Sequence, residues 1–238
     1  MTHALLTFVQ WLSPAFPTGV FAYSHGLEVA ISSGLVADAA ALRQWPAEVP
    51  EFGAGRQDAI LPVHALLDGA DHDQLDGLAR ALQPSSERLT ETLDQGTAFA
   101  RTAFARTAFA RTVAGLTGRS FPARCLPVAV GEAVAPLALP QAQVVALYLH
   151  AFASNLTSVA MRFMPLGQGV LAALHPLIEI LAQQATTLTI DDLGASALGA
   201  DLAAMAHGTM DVRIFRTCAL TDPCALALVA LWVRARPR

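Results

Sequence analysis

The chain has 238 residues and a formal charge of −4, and only 14% of its residues are charged. A nucleic-acid binder carries a clustered basic face, so this weak, sparse acidity points away from DNA or RNA as a partner. With 54% hydrophobic residues, much of that alanine and leucine, the composition suits close-packed helices. We therefore expect an all-α fold, a single-domain orthogonal bundle of about eight to ten helices. Three cysteines, Cys125, Cys218 and Cys224, are too scattered for a disulfide scaffold and fit a reducing, cytoplasmic setting. The N-terminus lacks the basic start of a secretory signal, and the apolar run Cys224 to Val233 is too short to span a bilayer, so no membrane partner is expected.

The first informative stretch is Gln10 to Glu28, QWLSPAFPTGVFAYSHGLE. Pro14 and Pro17 each fix φ and remove an amide donor, so Trp11 to Thr18 cannot continue as helix. Gly19 permits backbone geometry that a side chain would block. Val20, Phe21, Leu27 and Ile31 then recur at helical spacing, which predicts a helix entered through a rigid, aromatic-flanked elbow. Ser32-Ser33-Gly34 reads as its stop, with Gly34 in a left-handed cap. Asp38 caps a second helix through Leu42 and Trp45, ended by Pro46 and Pro50. Glu51 to Arg56, with Gly53 and Gly55, reads as a loop before a short helix from Asp58 to about Gly69. Asp71 or Asp73 caps the next helix, through Leu75, Leu78 and Leu82. His64, Asp68, Asp71, His72 and Asp73 could together be read as metal ligands. Aspartates beside a helix start are more often caps, so no metal ligand is assigned.

Pro84-Ser85-Ser86-Glu87 opens a long helix that contains A-F-A-R-T three times over in Ala98 to Thr112. A five-residue step turns a helix by roughly 140°, so Phe99, Phe104 and Phe109 point in three directions and only some can be buried. Gly115 and Gly118 end it. Pro127 to Ala135 predicts a helix in which Gly131 needs close packing to offset its cost. Leu139-Pro140 opens an apolar helix from Gln141 to about Phe163, whose polar His150, Ser154, Asn155, Thr157 and Ser158 suggest a hydrogen-bonded seam between helices. Pro165-Leu166-Gly167 breaks the chain. Gln168 to Gln184 resumes helix, with Pro176 expected to kink or divide it. Asp191 or Asp192 caps a short helix and Asp201 another. Arg213-Ile214-Phe215-Arg216 alternates basic and apolar groups in a way that suits partner docking. The sequence holds no P-loop, no G-x-S-x-G elbow and no H-E-x-x-H helix.

Taken as a set, Ser13, Pro14, Pro17, Gly19, Phe21, Tyr23, Ser24, Gly26, Leu27 and Glu28 resemble the S-P-x-x-P-x-G-x-F-x-Y-S-x-G-L-E opening of the urease accessory protein UreF family. Pro127, Val128 and Gly131 are similar to its P-V-x-x-G element, and Pro165 to Gln168 to its P-L-G-Q turn. Met205-Ala206-His207 and Arg213 to Thr217 resemble its M-x-H-E and S-R-L-F-R-S ending. The resemblance implies an all-helical homodimeric adaptor in nickel insertion, without catalytic residues or cofactor. Its implied partners are UreH (also called UreD), the GTPase UreG, whose GTP hydrolysis it would regulate, and apo-urease through the complex. It places partner contact at Tyr23, Glu28, Gln168, His207, Arg213, Phe215 and Arg216. Pro14, Pro17, Gly19, Gly26, Pro165 and Gly167 would shape the backbone around them.

Gly208 stands where the family has glutamate, and Val212 replaces its serine. We expect residues 1–217 to form the family-like domain and 218–238 a divergent apolar tail, packed as helix. Two rival readings remain: an all-helical enzyme or small-molecule binder using His150, Asn155 and His207 in one pocket, and a self-associating structural protein.

Overall fold

The computed structural model describes residues 2–38, 40–42, 45, 51–105, 122–164, 169–194, 196–208, 210 and 214–215. These residues form helices and turns, with no strand among them. The second and third A-F-A-R-T copies beyond Ala105, Cys218, Cys224 and the tail 218–238 lie outside them.

Local chemistry sets most helix ends. Helix α1 (His3–Trp11) is capped by Thr2, whose hydroxyl accepts from the Leu5 amide at 3.3 Å. The prolines end it at Trp11, as expected. The predicted single helix beyond Gly19 is instead two pieces, a 3-10 turn (Val20–Ala22) and α2 (Leu27–Ser32). Between them Tyr23 is extended, and His25 and Gly26 adopt φ of 51° and 77°, which no helix tolerates. Gly34 closes α2 in the left-handed conformation with φ 76°, and the Val36 amide returns to the Ala30 carbonyl at 2.9 Å. Asp38 Oδ1 accepts from the amides of Ala40 and Ala41, both at 2.9 Å.

Helix α3 (Ala54–Ala65) starts earlier than expected, so the loop read over 51–56 is corrected: Gly55 is a buried helical residue. Asp71 caps α4 (His72–Ala81), accepting from the Asp73 and Gln74 amides. Ser85 Oγ accepts from the Arg88 amide at the start of α5 (Ser86–Ala105). Helix α6 (Leu126–Val134) passes into a 3-10 turn, Ala135–Leu137. Helices α7 (Gln141–Ala160) and α8 (Gly169–Ala185) follow. Pro176 does not divide α8. It and Ala172, whose carbonyl it leaves without a donor, are both exposed, so water can take that carbonyl. Thr189 and Asp192 form a reciprocal capping box around the 3-10 turn Ile190–Asp192, before α9 (Leu198–His207).

Helix α7 runs through three apolar clusters. Val144 and Tyr148 pack with Phe8 and Trp11 of α1, Phe99 of α5 and Val130 of α6. Val145, Leu149 and Ala153 meet α3 and α8. Leu156, Val159 and Ala160 meet α2, α9 and Phe215. Phe99, from the first A-F-A-R-T copy, is buried edge-on against Trp11, with ring centroids 5.9 Å apart, while Arg101 is exposed.

Gly131 brings α6 against α3 so closely that a Cβ there would lie 2.5 Å from Ala65 Cβ and 2.9 Å from the Pro62 carbonyl oxygen. Gly131→Ala should therefore destabilise the fold by about 1–3 kcal/mol, because the helices must part. Gly77, also helical but facing open space, should gain about 0.5–1 kcal/mol as alanine. Paired urea denaturation curves check both signs.

Candidate functional site: a polar interior beneath the elbow

The buried face of α5 is polar for its first turns. Glu87, Glu91 and Gln95 occupy the stripe that becomes Phe99 and Ala103 further on, and Arg88 is buried beside them. Across from it lies the elbow. At Gly26 a Cβ would stand 2.5 Å from the Ala204 nitrogen, so α2 begins in direct backbone contact with α9. That approach sets Glu28 against His207.

Glu28 Oε2 lies 2.7 Å from His207 Nε2, and the other ring nitrogen, Nδ1, lies 2.7 Å from Glu87 Oε1. Glu28 also accepts from the Ile214 amide at 2.7 Å and the Phe215 amide at 3.2 Å. With a carboxylate at each nitrogen, the ring satisfies both contacts by donating twice, as imidazolium. Burial alone would lower the His207 pKa, but hydrogen bonds to Glu87 and Glu28 hold it above the ordinary histidine value.

A second set lies deeper. Glu91 receives Arg88 Nη1, Gln95 Nε2 at 2.9 Å and His25 Nε2 at 3.0 Å. Burial pushes its carboxyl up, yet the Arg88 charge and the hydrogen bonds from Arg88 and His25 overcome this and hold it at about 2. His25 is shifted down by burial and by Arg88. The Tyr148 hydroxyl donates to Asp58 Oδ2 at 3.3 Å, and burial raises the Asp58 carboxyl to about 6.

Of the residues expected at partner contacts, Glu28, His207 and Phe215 come together, but inside the chain. All three are buried, and Phe215 packs near Phe163 with the Arg162 guanidinium 5.0 Å from its ring centre. Tyr23 is buried too, and its hydroxyl donates to Asp94 at 3.1 Å. Pro14 and Pro17 lie in the turns between α1 and Gly19, which is left-handed with φ 77°. Pro165, Gly167, Gln168, Arg213 and Arg216 fall outside the described residues. The trio of the rival pocket reading separates: His150 and Asn155 line one cavity, and His207 does not. The residues considered for metal point apart: His64 and His72 bond the carbonyls of Leu188 and Ala65, and Asp73 pairs with Arg124 at 2.8 Å. Among the described residues no group of three or more such side chains is arranged to hold a metal.

Sequence reasoning missed Glu87, Arg88, Glu91, Asp58, His25 and Tyr148. A signal was present for two of them: Glu87 and Glu91 fall in register with Phe99, which marks their stripe as a buried one.

Carboxylates and imidazoles engaged with one another inside a helical bundle fix the relative placement of α2, α5 and α9. The UreF family model matches residues 36–175. Over 221 residues the chain is 60% identical to the urease accessory protein UreF of Cereibacter sphaeroides, covering 91% of this chain and 100% of that one. It is 49% identical over 218 residues to the UreF of Paracoccus denitrificans, covering 90% and 96% of the two chains. With that of Roseobacter denitrificans identity is 44% over 223 residues, covering 91% and 95%. The chain belongs to the UreF family of urease accessory proteins, a chaperone-type family without enzymatic activity.

The raised His207 pKa fixes the sign of a pH effect. Stabilisation from the protonated ring is complete below the unfolded value of 6.5 and fades as pH rises through the folded value. His207→Gln should thus cost most near pH 6, about 3 kcal/mol by analogy with other broken buried pairs, and less at pH 9. Asp58 behaves in the same sense: its acid form is favoured until pH passes about 6, compared with 3.8 unfolded. Between pH 4 and 7 the wild type should lose roughly 2.4 kcal/mol relative to Asp58→Asn. Urea denaturation across pH measures both.

Proposed function

We propose that this chain is the adaptor of a cytoplasmic urease-maturation assembly, acting as a homodimer that binds UreH (UreD) and recruits the GTPase UreG. Nickel is the cargo handed to apo-urease through that assembly, and the chemistry of GTP hydrolysis stays in UreG. The adaptor regulates it by binding one nucleotide state more tightly than the other, which shifts the equilibrium by that difference in affinity alone.

The observation that carries the reading is the Glu28 clasp. It joins the elbow motif to the backbone of Ile214 and Phe215, so two regions that resemble family motifs become one structural unit. Membership of a urease accessory family supports the same reading. In it, Glu28 and His207 act as positioning residues, holding the C-terminal segment where Arg213 and Arg216 can meet a partner. Tyr23 and Phe215, both buried, support that segment from within and do not themselves meet the partner.

Size-exclusion chromatography with light scattering tests it, adding cognate UreH and then UreG loaded with nickel and GTP. The wild type should form a stable ternary complex. Glu28→Ala should weaken it by tenfold or more, corresponding to at least about 1.4 kcal/mol, and Arg216→Ala should weaken it while leaving the thermal midpoint unchanged. No complex between well-folded cognate partners would overturn the adaptor role.

A further inference from the structure

Two histidines meet across the seam between α7 and α8. His150 of α7 and His175 of α8 have ring centres 5.4 Å apart, with their planes tilted by 41°. Their chain neighbours, Leu149 and Leu174, are buried together in the apolar cluster that joins the two helices. The backbone carrying the pair is therefore firmly held, while the rings reach solvent: His175 is exposed and His150 half-buried.

The remaining histidines inside the bundle are all engaged. His25, His64, His72 and His207 each meet an oxygen of the protein. The ring nitrogens of His150 and His175 bond to none of the described residues, and none of these nitrogens is sealed from water. Each neutral ring therefore keeps a free lone pair at the surface. The spacing decides what they can share. A metal ion about 2.0–2.1 Å from an imidazole nitrogen stands about 3.2 Å from the ring centre, so two rings on one tetrahedral ion have centres about 5.2 Å apart. The observed 5.4 Å matches that separation closely.

We propose that His150 and His175 form a two-imidazole site for a divalent transition-metal ion, with water in its remaining positions. Facing helices of a bundle are where such sites are built, and imidazole suits zinc, copper, iron and nickel. No third histidine, cysteine or carboxylate completes the set among the described residues. The site is thus open, and it binds more weakly than a closed structural one. Its outer ring nitrogens also lack the protein acceptor that would stiffen them, which limits affinity further. The geometry of the pair carries this site independently of the urease-maturation reading.

Zn²⁺ is the probe, added to the full chain without an affinity tag in a non-coordinating buffer. Isothermal titration calorimetry should show a saturable site that His150→Gln and His175→Gln each weaken tenfold or more, because either loss turns a chelate into a single contact. His175→Gln, at an exposed position, should keep the wild-type thermal midpoint, and His3→Gln, away from the pair, should bind Zn²⁺ as the wild type does. Long-range ¹H–¹⁵N spectra of the wild type should show the His150 and His175 rings shifting together, complete at one equivalent, with the other imidazoles unmoved. Two independent surface histidines would instead keep their affinity and lose half the stoichiometry in each single variant. That result, a shift of one ring alone, unchanged binding in His175→Gln, or no saturable binding would each overturn the proposal. All of these outcomes leave the ternary complex with UreH and UreG untouched.

Discussion

The imidazole of His207, held at 2.7 Å by a carboxylate on each side, ties the start of α5 to α2 and α9, which already pack together in one apolar cluster. It comes from the last residue of α9, and its partners come from the first turns of α2 and α5. Glu28 then carries the connection to the amides of Ile214 and Phe215. Such a junction is asymmetric in energy. Complete, it contributes modestly; with one member removed it leaves the others charged and dry. Glu87 already has one buried oxygen without a protein partner, so little slack remains.

The polar stripe on α5 extends the same logic. Along one helix face the chain passes from Glu87, Arg88, Glu91 and Gln95 to Phe99 and Ala103. The first part orders the elbow through directional bonds, and the second packs α1 and α6 without them. Hydrophobic contact alone tolerates sliding and rotation. Hydrogen bonds between His25, Glu91 and Gln95 do not, so the elbow has one register on the bundle.

Helix ends were legible in the sequence where chemistry is local: Gly34, Asp38 and Asp71 do what their residue types imply within a few residues. Gly131 was legible for the same reason, as a cost that only close packing offsets. The start of α3 was not, because Gly53 and Gly55 read as a loop until tertiary packing buries Gly55 in helix. The elbow was recognised, but its two left-handed residues, His25 and Gly26, leave no signature in hydrophobic spacing. Glu28 and His207 were both singled out from motifs, yet their pairing spans 179 positions, which periodicity does not reach. Charges near helix ends read as solvent-facing; here the topology turns them inward. Asp58 meets Tyr148 across 90 positions, beyond reach for the same reason.

The contact at Gly26 has a mechanical meaning. Where α2 begins, backbone rests on the backbone of Ala203 and Ala204 with no side chain between. Ordinary helix contacts contain rotamers that can rearrange and absorb a small displacement, like a gasket. Bare backbone has none, so a push on one surface is delivered to the other undiminished. The spacing of α2 and α9 is therefore fixed at this point, with no rotamer between them that could repack to change it.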